Sequence, residues 1–130
     1  MLVPTEKRLG FRVAMEELPE HLQRQMSTVI VHDGRESAAT VIDLSLSGML
    51  VTDLEFGLSA GDRVAATIEF GGISTTLDGT IVRTVGNGRV ALRFPGSVRD
   101  GVFDPPVRLS RIHRALEQAW LQARKPKNKR

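Results

Sequence analysis

The sequence predicts a mainly β protein: a six-stranded antiparallel barrel with a flexible N-terminal arm and a C-terminal α-helix. Three observations support this fold class. Short segments rich in Val, Ile and Thr are separated by turns that contain glycine, as is typical of strands. Several segments alternate apolar and polar residues, which strands with one buried face require. Near the C-terminus the apolar residues instead recur at helical spacing.

The 130 residues suffice for one domain with a modest core. Residues 1–26 have no clean period and are interpreted as the arm. The barrel is predicted over residues 27–95, the helix over 104–124 and a basic, disordered tail over 125–130.

Six short strands at this spacing indicate a small antiparallel barrel. The turn sequences between them include Asp33-Gly34, Gly71-Gly72 and Gly86-Asn87-Gly88, which favour tight reversals. The predicted strands cover residues 28–31, 38–42, 48–52, 64–70, 74–85 and 89–94.

The helix has a start signal and one apolar stripe. Asp104 is a suitable N-cap, and Pro105 suits the first helical position. The stripe consists of Leu109, Ile112, Leu116, Ala119, Trp120 and Ala123. Two heptads are too few to argue a coiled coil, so we expect the helix to pack against one end of the barrel, and a homodimer is left open.

The net positive charge of the chain comes from its C-terminal tail. The formal net charge is +3, and five cations lie in the last seven residues: Arg124, Lys125, Lys127, Lys129 and Arg130. Without them the body carries a charge of about −2, which gives no general basic surface for nucleic acid. We interpret the tail as a solubilising terminus; the alternative is a weak, salt-sensitive contact to nucleic acid or an anionic surface.

The sequence indicates less about cellular location and redox chemistry than about the fold. There is no cysteine, which excludes disulfides and thiolate metal sites. The N-terminus lacks the apolar core of a signal peptide, and no run approaches the roughly 20 apolar residues of a membrane helix. We expect a cytoplasmic protein that does not insert into membranes.

The sequence contains no recognisable catalytic or metal-binding signature. His21, His32 and His113 lie in three different predicted elements, without the spacing of a helical zinc site, and are expected at the surface. There is no nucleophile elbow, P-loop or dinucleotide fingerprint. We therefore expect no catalysis and no bound metal or cofactor.

Two short motifs remain. Arg8 and Arg12 form an Arg-x-x-x-Arg pair in the arm, and Asp43, Ser45 and Gly48 form an Asp-x-Ser-x-x-Gly motif between the second and third strands. Separately, each has an ordinary explanation, since terminal arginines are common and Asp and Ser build turns.

Together, in this order and ahead of a barrel pattern, the motifs resemble the binding signature of the PilZ family. The resemblance runs from about Lys7 to Phe94 and includes a closing hairpin similar to the family's. It departs at Ala91, where the family often has glycine, and over residues 13–25, a longer and more polar passage than usual. It implies a PilZ-like barrel that binds the second messenger cyclic di-GMP.

The motif residues suit that ligand chemically. An arginine fork pairs with a phosphate or with guanine O6 and N7, which fits Arg8 and Arg12. Asp43 can accept from guanine or position an arginine, and Ser45 can donate to phosphate or accept from a neighbouring N–H. Gly48 allows the backbone to come close to the ligand or to adopt a positive φ. Lys7, beside Arg8, is a candidate accessory phosphate contact.

The function predicted from these residues is a non-catalytic receptor whose arm closes over cyclic di-GMP and signals to an unidentified effector protein. Phe11 either stacks on a guanine or packs on the core. Two other functions remain open: a PilZ-like interaction module without nucleotide binding, and a small barrel that binds nucleic acid through the tail.

Overall fold

The computed structural model describes residues 11–124. Within this range nine strands and two α-helices occur, together with 3₁₀ turns at Met15–Glu17 and Pro95–Ser97. The strands are β1 Val13–Ala14, β2 Met26–His32, β3 Arg35–Leu44, β4 Gly48–Thr52, β5 Arg63–Phe70, β6 Ile73–Val85, β7 Arg89–Arg93, β8 Val98–Arg99 and β9 Val102–Phe103. The helices are α1 Glu20–Gln23 and α2 Val107–Ala123.

Strands β2 to β7 close into the predicted six-stranded barrel. Their order is β3-β2-β5-β6-β7-β4, and pairing of β3 with β4 completes the ring. Every pairing is antiparallel. Closure leaves none of these six strands as a free sheet edge, which removes a route to aggregation.

The core lies inside the barrel, as the alternation predicts. Along β5 the side chains of Val64, Ala66, Ile68 and Phe70 are buried. Each fully buried side chain of the larger apolar types contributes about 1.5 to 3 kcal/mol relative to exposure. The two-residue period therefore fixes which face of each strand points inward.

The predicted turns have the expected backbone. Asp33 and Gly34 have φ of 53° and 76°, and Gly71 and Gly72 have φ of 59° and 86°. Positive φ at both central residues is the condition for the turn whose twist matches a β-hairpin.

Helix α2 begins later than the sequence predicts. Its N-cap is Pro106, without a side-chain cap, so the assignment of Asp104 as N-cap was wrong. A residue that precedes proline is disfavoured in helical conformation, and both Asp104 and Pro105 precede one. The Asp104 amide instead donates to the carbonyl of Ser97 at 2.7 Å, which ties this segment to the β8–β9 ribbon.

The apolar stripe of α2 packs on the barrel. Leu109, Ile112 and Leu116 are fully buried, and they belong to the same core as the strands. Within residues 11–124 neither helix is long and apolar enough to cross a membrane.

The segment before the barrel differs from the expected arm. Val13 is fully buried and pairs with Leu44 of β3, while Met15 and Leu18 are 4% exposed and lie in the core. Residues 13–25 are thus part of the folded domain, and the assignment of residues 1–26 as a flexible arm does not hold for them. Burial of three apolar side chains explains why this polar passage is held against the barrel.

Candidate functional site

The turn between β3 and β4 is organised by Ser45. Its side chain is fully buried, and Oγ accepts hydrogen bonds from the amides of Ser47 and Gly48, each at 3.2 Å. The Ser45 amide donates to the carbonyl of Gly48 at 2.9 Å. The hydroxyl is therefore committed to the turn, which corresponds to the second of the two roles expected for it.

Gly48 is required by the packing of two strands. It lies opposite Arg93 of β7, and a Cβ at this position would overlap the carbonyl oxygen of Leu92. Its φ is not positive, so the expected use of positive φ is wrong. The requirement is steric, as expected, but the group that approaches is the β7 backbone.

Asp43 lies at an irregularity in β3. Val41 pairs with Val51 and Asp43 pairs with Leu50, so Ile42 is an extra residue on β3. Such a β-bulge redirects the side chains that follow it. The Asp43 side chain retains 21% exposure and reaches the outer surface.

Arg12 contacts this carboxylate directly. Its Nη1 donates to Oδ1 of Asp43 at 2.7 Å, and half of the arginine side chain remains exposed. The contact joins the segment before the barrel to the end of β3. The cause is the pairing of β1 with β3, which sets Ala14 opposite Asp43.

An open groove extends from this ion pair across the outer face of the barrel. Its volume is about 480 Å³, in the range of small-molecule sites. Its charged lining residues are three arginines and one carboxylate: Arg12, Arg83, Arg93 and Asp43. This excess of positive charge suits an anionic ligand. A groove of about 370 Å³ beside α2 carries one arginine and one glutamate and lacks the excess.

Phe11, the residue before Arg12, packs against helix α2. Its ring packs edge-on against Trp120 and His113, with centroid separations of 5.0 and 6.4 Å. Nε2–H of His113 donates to the Phe11 carbonyl at 2.9 Å. His113 is 3% exposed, so its expected surface position was wrong, whereas packing of Phe11 on the core agrees with one of the two alternatives.

Arg8 and Lys7, both predicted ligand contacts, lie outside the described residues. The structure thus brings Arg12 and Asp43 together in the lining of the groove. Ser45 and Gly48 are buried in the turn and strand that follow Asp43 and do not line the groove.

The comparisons with known proteins agree with this architecture. The model of the PilZ domain family matches residues 6–102, which is most of the chain. The chain belongs to the PilZ family. Helix α2 follows the matched range. A sequence comparison with functionally curated proteins finds no match.

Solved structures with this PilZ fold include two from Escherichia coli and one from Borreliella burgdorferi. The PilZ domain of YcgR with c-di-GMP is 22% identical, with 91% of this chain and 95% of that chain covered and a TM-score of 0.58. A YcgR structure in complex with c-di-GMP is 19% identical, with 91% of this chain and 48% of that chain covered and a TM-score of 0.62. PlzA from Borreliella burgdorferi in complex with c-di-GMP is 17% identical, with 85% of this chain and 41% of that chain covered and a TM-score of 0.54. The chain thus spans less than half the length of these last two proteins.

Sequence reasoning missed part of the groove of this PilZ domain. Arg93 could have been found, because it alternates with buried residues on the sixth predicted strand and so faces outward. Arg83 could not, because an unbroken alternation from buried Ile81 would point it inward.

Proposed function

We propose that this PilZ domain is a receptor for cyclic di-GMP and that the ligand binds in the groove beside Arg12 and Asp43. The observation that carries the proposal is the Arg12–Asp43 ion pair at the end of a groove with three cations and one anion. The family membership and the presence of cyclic di-GMP in the similar YcgR structures support the choice of ligand.

The ligand and the groove have complementary charge. Cyclic di-GMP carries two phosphodiester anions and two guanines, each with the O6 and N7 acceptors. Arg12 is already positioned beside the groove, so little side-chain entropy remains to be lost when it binds. Its half-exposed guanidinium has free N–H groups for a phosphate or a guanine edge.

Asp43 has two functions in this proposal. It orients Arg12 before ligand arrives, and its second carboxylate oxygen is an acceptor for the guanine N1–H and amino donors. An ionised carboxylate offers about four lone-pair directions, so one arginine does not exhaust its capacity. The ligand therefore need not break the ion pair in order to bind.

Ser45 and Gly48 act on the site through the backbone. Ser45 holds the turn that follows Asp43, and Gly48 lets β4 lie against β7 beneath the groove. We propose them as positioning residues that keep the end of the groove in shape, with direct contacts made by Arg12 and Asp43.

Arg8 completes the arginine motif and is assigned as a ligand contact on the motif alone, with Lys7 as an accessory phosphate contact. We propose that the chain before Phe11 closes over bound cyclic di-GMP, since Phe11 and Val13 are already held by α2 and β3. The closed surface would be recognised by an effector protein.

The receptor is proposed to be cytoplasmic and non-catalytic. Residues 11–124 contain no group of three or more potential metal ligands, and the proposed binding needs no metal or cofactor. Self-association into a homodimer stays a prediction.

Backbone amide NMR of the full chain during titration with cyclic di-GMP tests where the ligand binds. We expect shift changes that saturate at Arg12, at residues 43–48 and at Ala91, with much smaller changes at the groove beside α2, for example at Gln118. Saturating changes confined to the α2 groove, or no saturable change, would exclude the proposed site.

A further inference from the structure

A single row of paired residues crosses the groove from strand to strand. Asp43 of β3 lies opposite Leu50 of β4, Leu50 lies opposite Ala91 of β7, and Ala91 lies opposite Arg83 of β6. Neighbouring strands are about 4.8 Å apart, so the two ends of the row are separated by about 14 Å along the curved sheet. The two charged members of the row thus occupy its two ends.

Arg83 reaches this face because β6 contains a bulge. Ile81 pairs with Leu92, and Arg83 pairs with the next residue of β7, Ala91, which leaves Val82 as an extra residue. Ile81 is buried, whereas Val82 and Arg83 are both exposed. In a regular strand the residue two positions after Ile81 would face the core, so the extra residue turns Arg83 outward.

The bulge in β3 turns the side chain of Asp43 outward in the same way. Val41 is buried, and Ile42 is the extra residue before Asp43. Both ends of the row therefore depend on a one-residue irregularity, and such irregularities are frequent next to binding sites, where they redirect a side chain. Two bulges that direct opposite charges onto one face are the observation on which the inference rests.

The middle of the row has uncharged side chains. Leu50 and Ala91 are half-buried and uncharged. A short side chain at Ala91 keeps this part of the groove low between the charged ends. A ligand that contacts Asp43 can therefore extend across Leu50 and Ala91 toward Arg83.

We infer that Arg83 is a further ligand-binding residue and that it binds the guanine of cyclic di-GMP furthest from Asp43, through O6 and N7. The inference rests on the proposed function. The two guanines project from opposite sides of the ribose-phosphate ring, and the phosphates lie within that ring. A group at the far end of the row from Asp43 consequently meets a base, and the O6 and N7 pair of guanine matches the arginine fork.

Arg83→Ala tests the contact, with Arg89→Ala as its matched control. Both arginines are exposed strand residues of the β6–β7 hairpin, and Arg89 lines a different groove. In equilibrium titrations with cyclic di-GMP we expect Arg83→Ala to weaken binding about tenfold or more and Arg89→Ala to change it less than about twofold. Equal affinities of the two variants would overturn the inference.

The guanine assignment is tested with the cyclic dinucleotide of 7-deazaguanine, which lacks the N7 acceptor. This analogue should bind the wild-type protein more weakly than cyclic di-GMP does, and the ratio of the two affinities should be several-fold smaller in Arg83→Ala. The same ratio in both proteins would show that Arg83 contacts another part of the ligand and would overturn the assignment.

The outcomes separate this inference from the proposed function. If the wild-type chain does not bind cyclic di-GMP, the proposed function fails. If the wild-type chain binds and Arg12→Ala weakens binding while Arg83→Ala does not, only the inference about Arg83 fails. Circular dichroism of each variant checks that the barrel is intact.

Discussion

Nη1 of Arg12 lies 2.7 Å from Oδ1 of Asp43, although 31 residues separate the two in sequence. The contact joins the two sequence motifs, and it depends on the two-residue strand β1, which pairs with the end of β3. The arginine is thereby placed at the groove before any ligand is bound. This preorganisation is the main physical basis for assigning the groove as the binding site.

Replacement of Arg12 by alanine should weaken cyclic di-GMP binding at least about tenfold, because one charge-assisted bidentate contact is worth roughly 1.4 kcal/mol or more. The variant Arg24→Ala is the control, since Arg24 is also exposed and ion-paired, with Glu20 at 3.6 Å. Equilibrium titration of both variants measures the effect. If Arg12→Ala binds cyclic di-GMP with the affinity of the wild-type protein, Arg12 is a surface charge that does not contact the ligand.

Asp43→Ala should lower the affinity for cyclic di-GMP while changing the free energy of unfolding by less than about 1 kcal/mol, because exposed ion pairs contribute little to stability. The sequence alone suggests that Asp43 supports the turn, but that function belongs to Ser45. Ligand titration and urea unfolding of the same variant measure both quantities. Unchanged affinity together with a loss of several kcal/mol would make Asp43 a structural residue.

Ser45→Ala should destabilise the protein by about 1 to 3 kcal/mol, because two amides in a buried turn lose their acceptor. Ser47→Ala is the matched control: among residues 11–124 its half-buried hydroxyl forms a hydrogen bond with that of Ser45 alone, at 3.2 Å, and its loss should cost less than about 1 kcal/mol. Urea unfolding compares the two variants. Equal stabilities would remove the role assigned to the Ser45 hydroxyl.

Gly48→Ala should destabilise the barrel by about 1 to 3 kcal/mol, the range for a side chain forced into a packed region. The methyl group would meet the carbonyl of Leu92, and backbone cannot rotate away as a flexible side chain can. Gly57→Ala is the control, because a Cβ atom added to Gly57 would have no neighbouring atom within 4 Å. Should the two variants unfold at the same urea concentration, the close approach of β4 and β7 would be disproved.

The barrel could be predicted from the sequence because burial of one strand face imposes a visible two-residue period. Positions such as Ile68 and Leu92 follow this period and are buried. The hairpin turns were predictable for a related reason, since Asp33 and Gly34 are residue types that tolerate positive φ.

The segment before the barrel could not be predicted in the same way. Val13, Met15 and Leu18 are buried at irregular spacing among polar residues, so no period marks them. The burial of His113 depends on the carbonyl of Phe11, which is 102 residues away in sequence. No local pattern contains that partner.

The candidate site was predictable only in part. Arg12, Asp43, Ser45 and Gly48 were identified from short motifs, but the motifs do not show that Ser45 is buried or that Gly48 faces β7. The outward position of Arg83 depends on the extra residue Val82, and a bulge is defined by the register of two strands, which the sequence of one strand does not contain.

Binding of cyclic di-GMP by the full chain decides whether this PilZ domain is a receptor. Isothermal titration calorimetry at two temperatures, with cyclic di-AMP as the control ligand, measures affinity and stoichiometry together. We predict saturable binding of one or two cyclic di-GMP molecules per chain, and much weaker binding of cyclic di-AMP, because adenine offers an amino donor where guanine offers O6. The absence of saturable heat with cyclic di-GMP at both temperatures, or equal affinity for the two dinucleotides, would contradict the account.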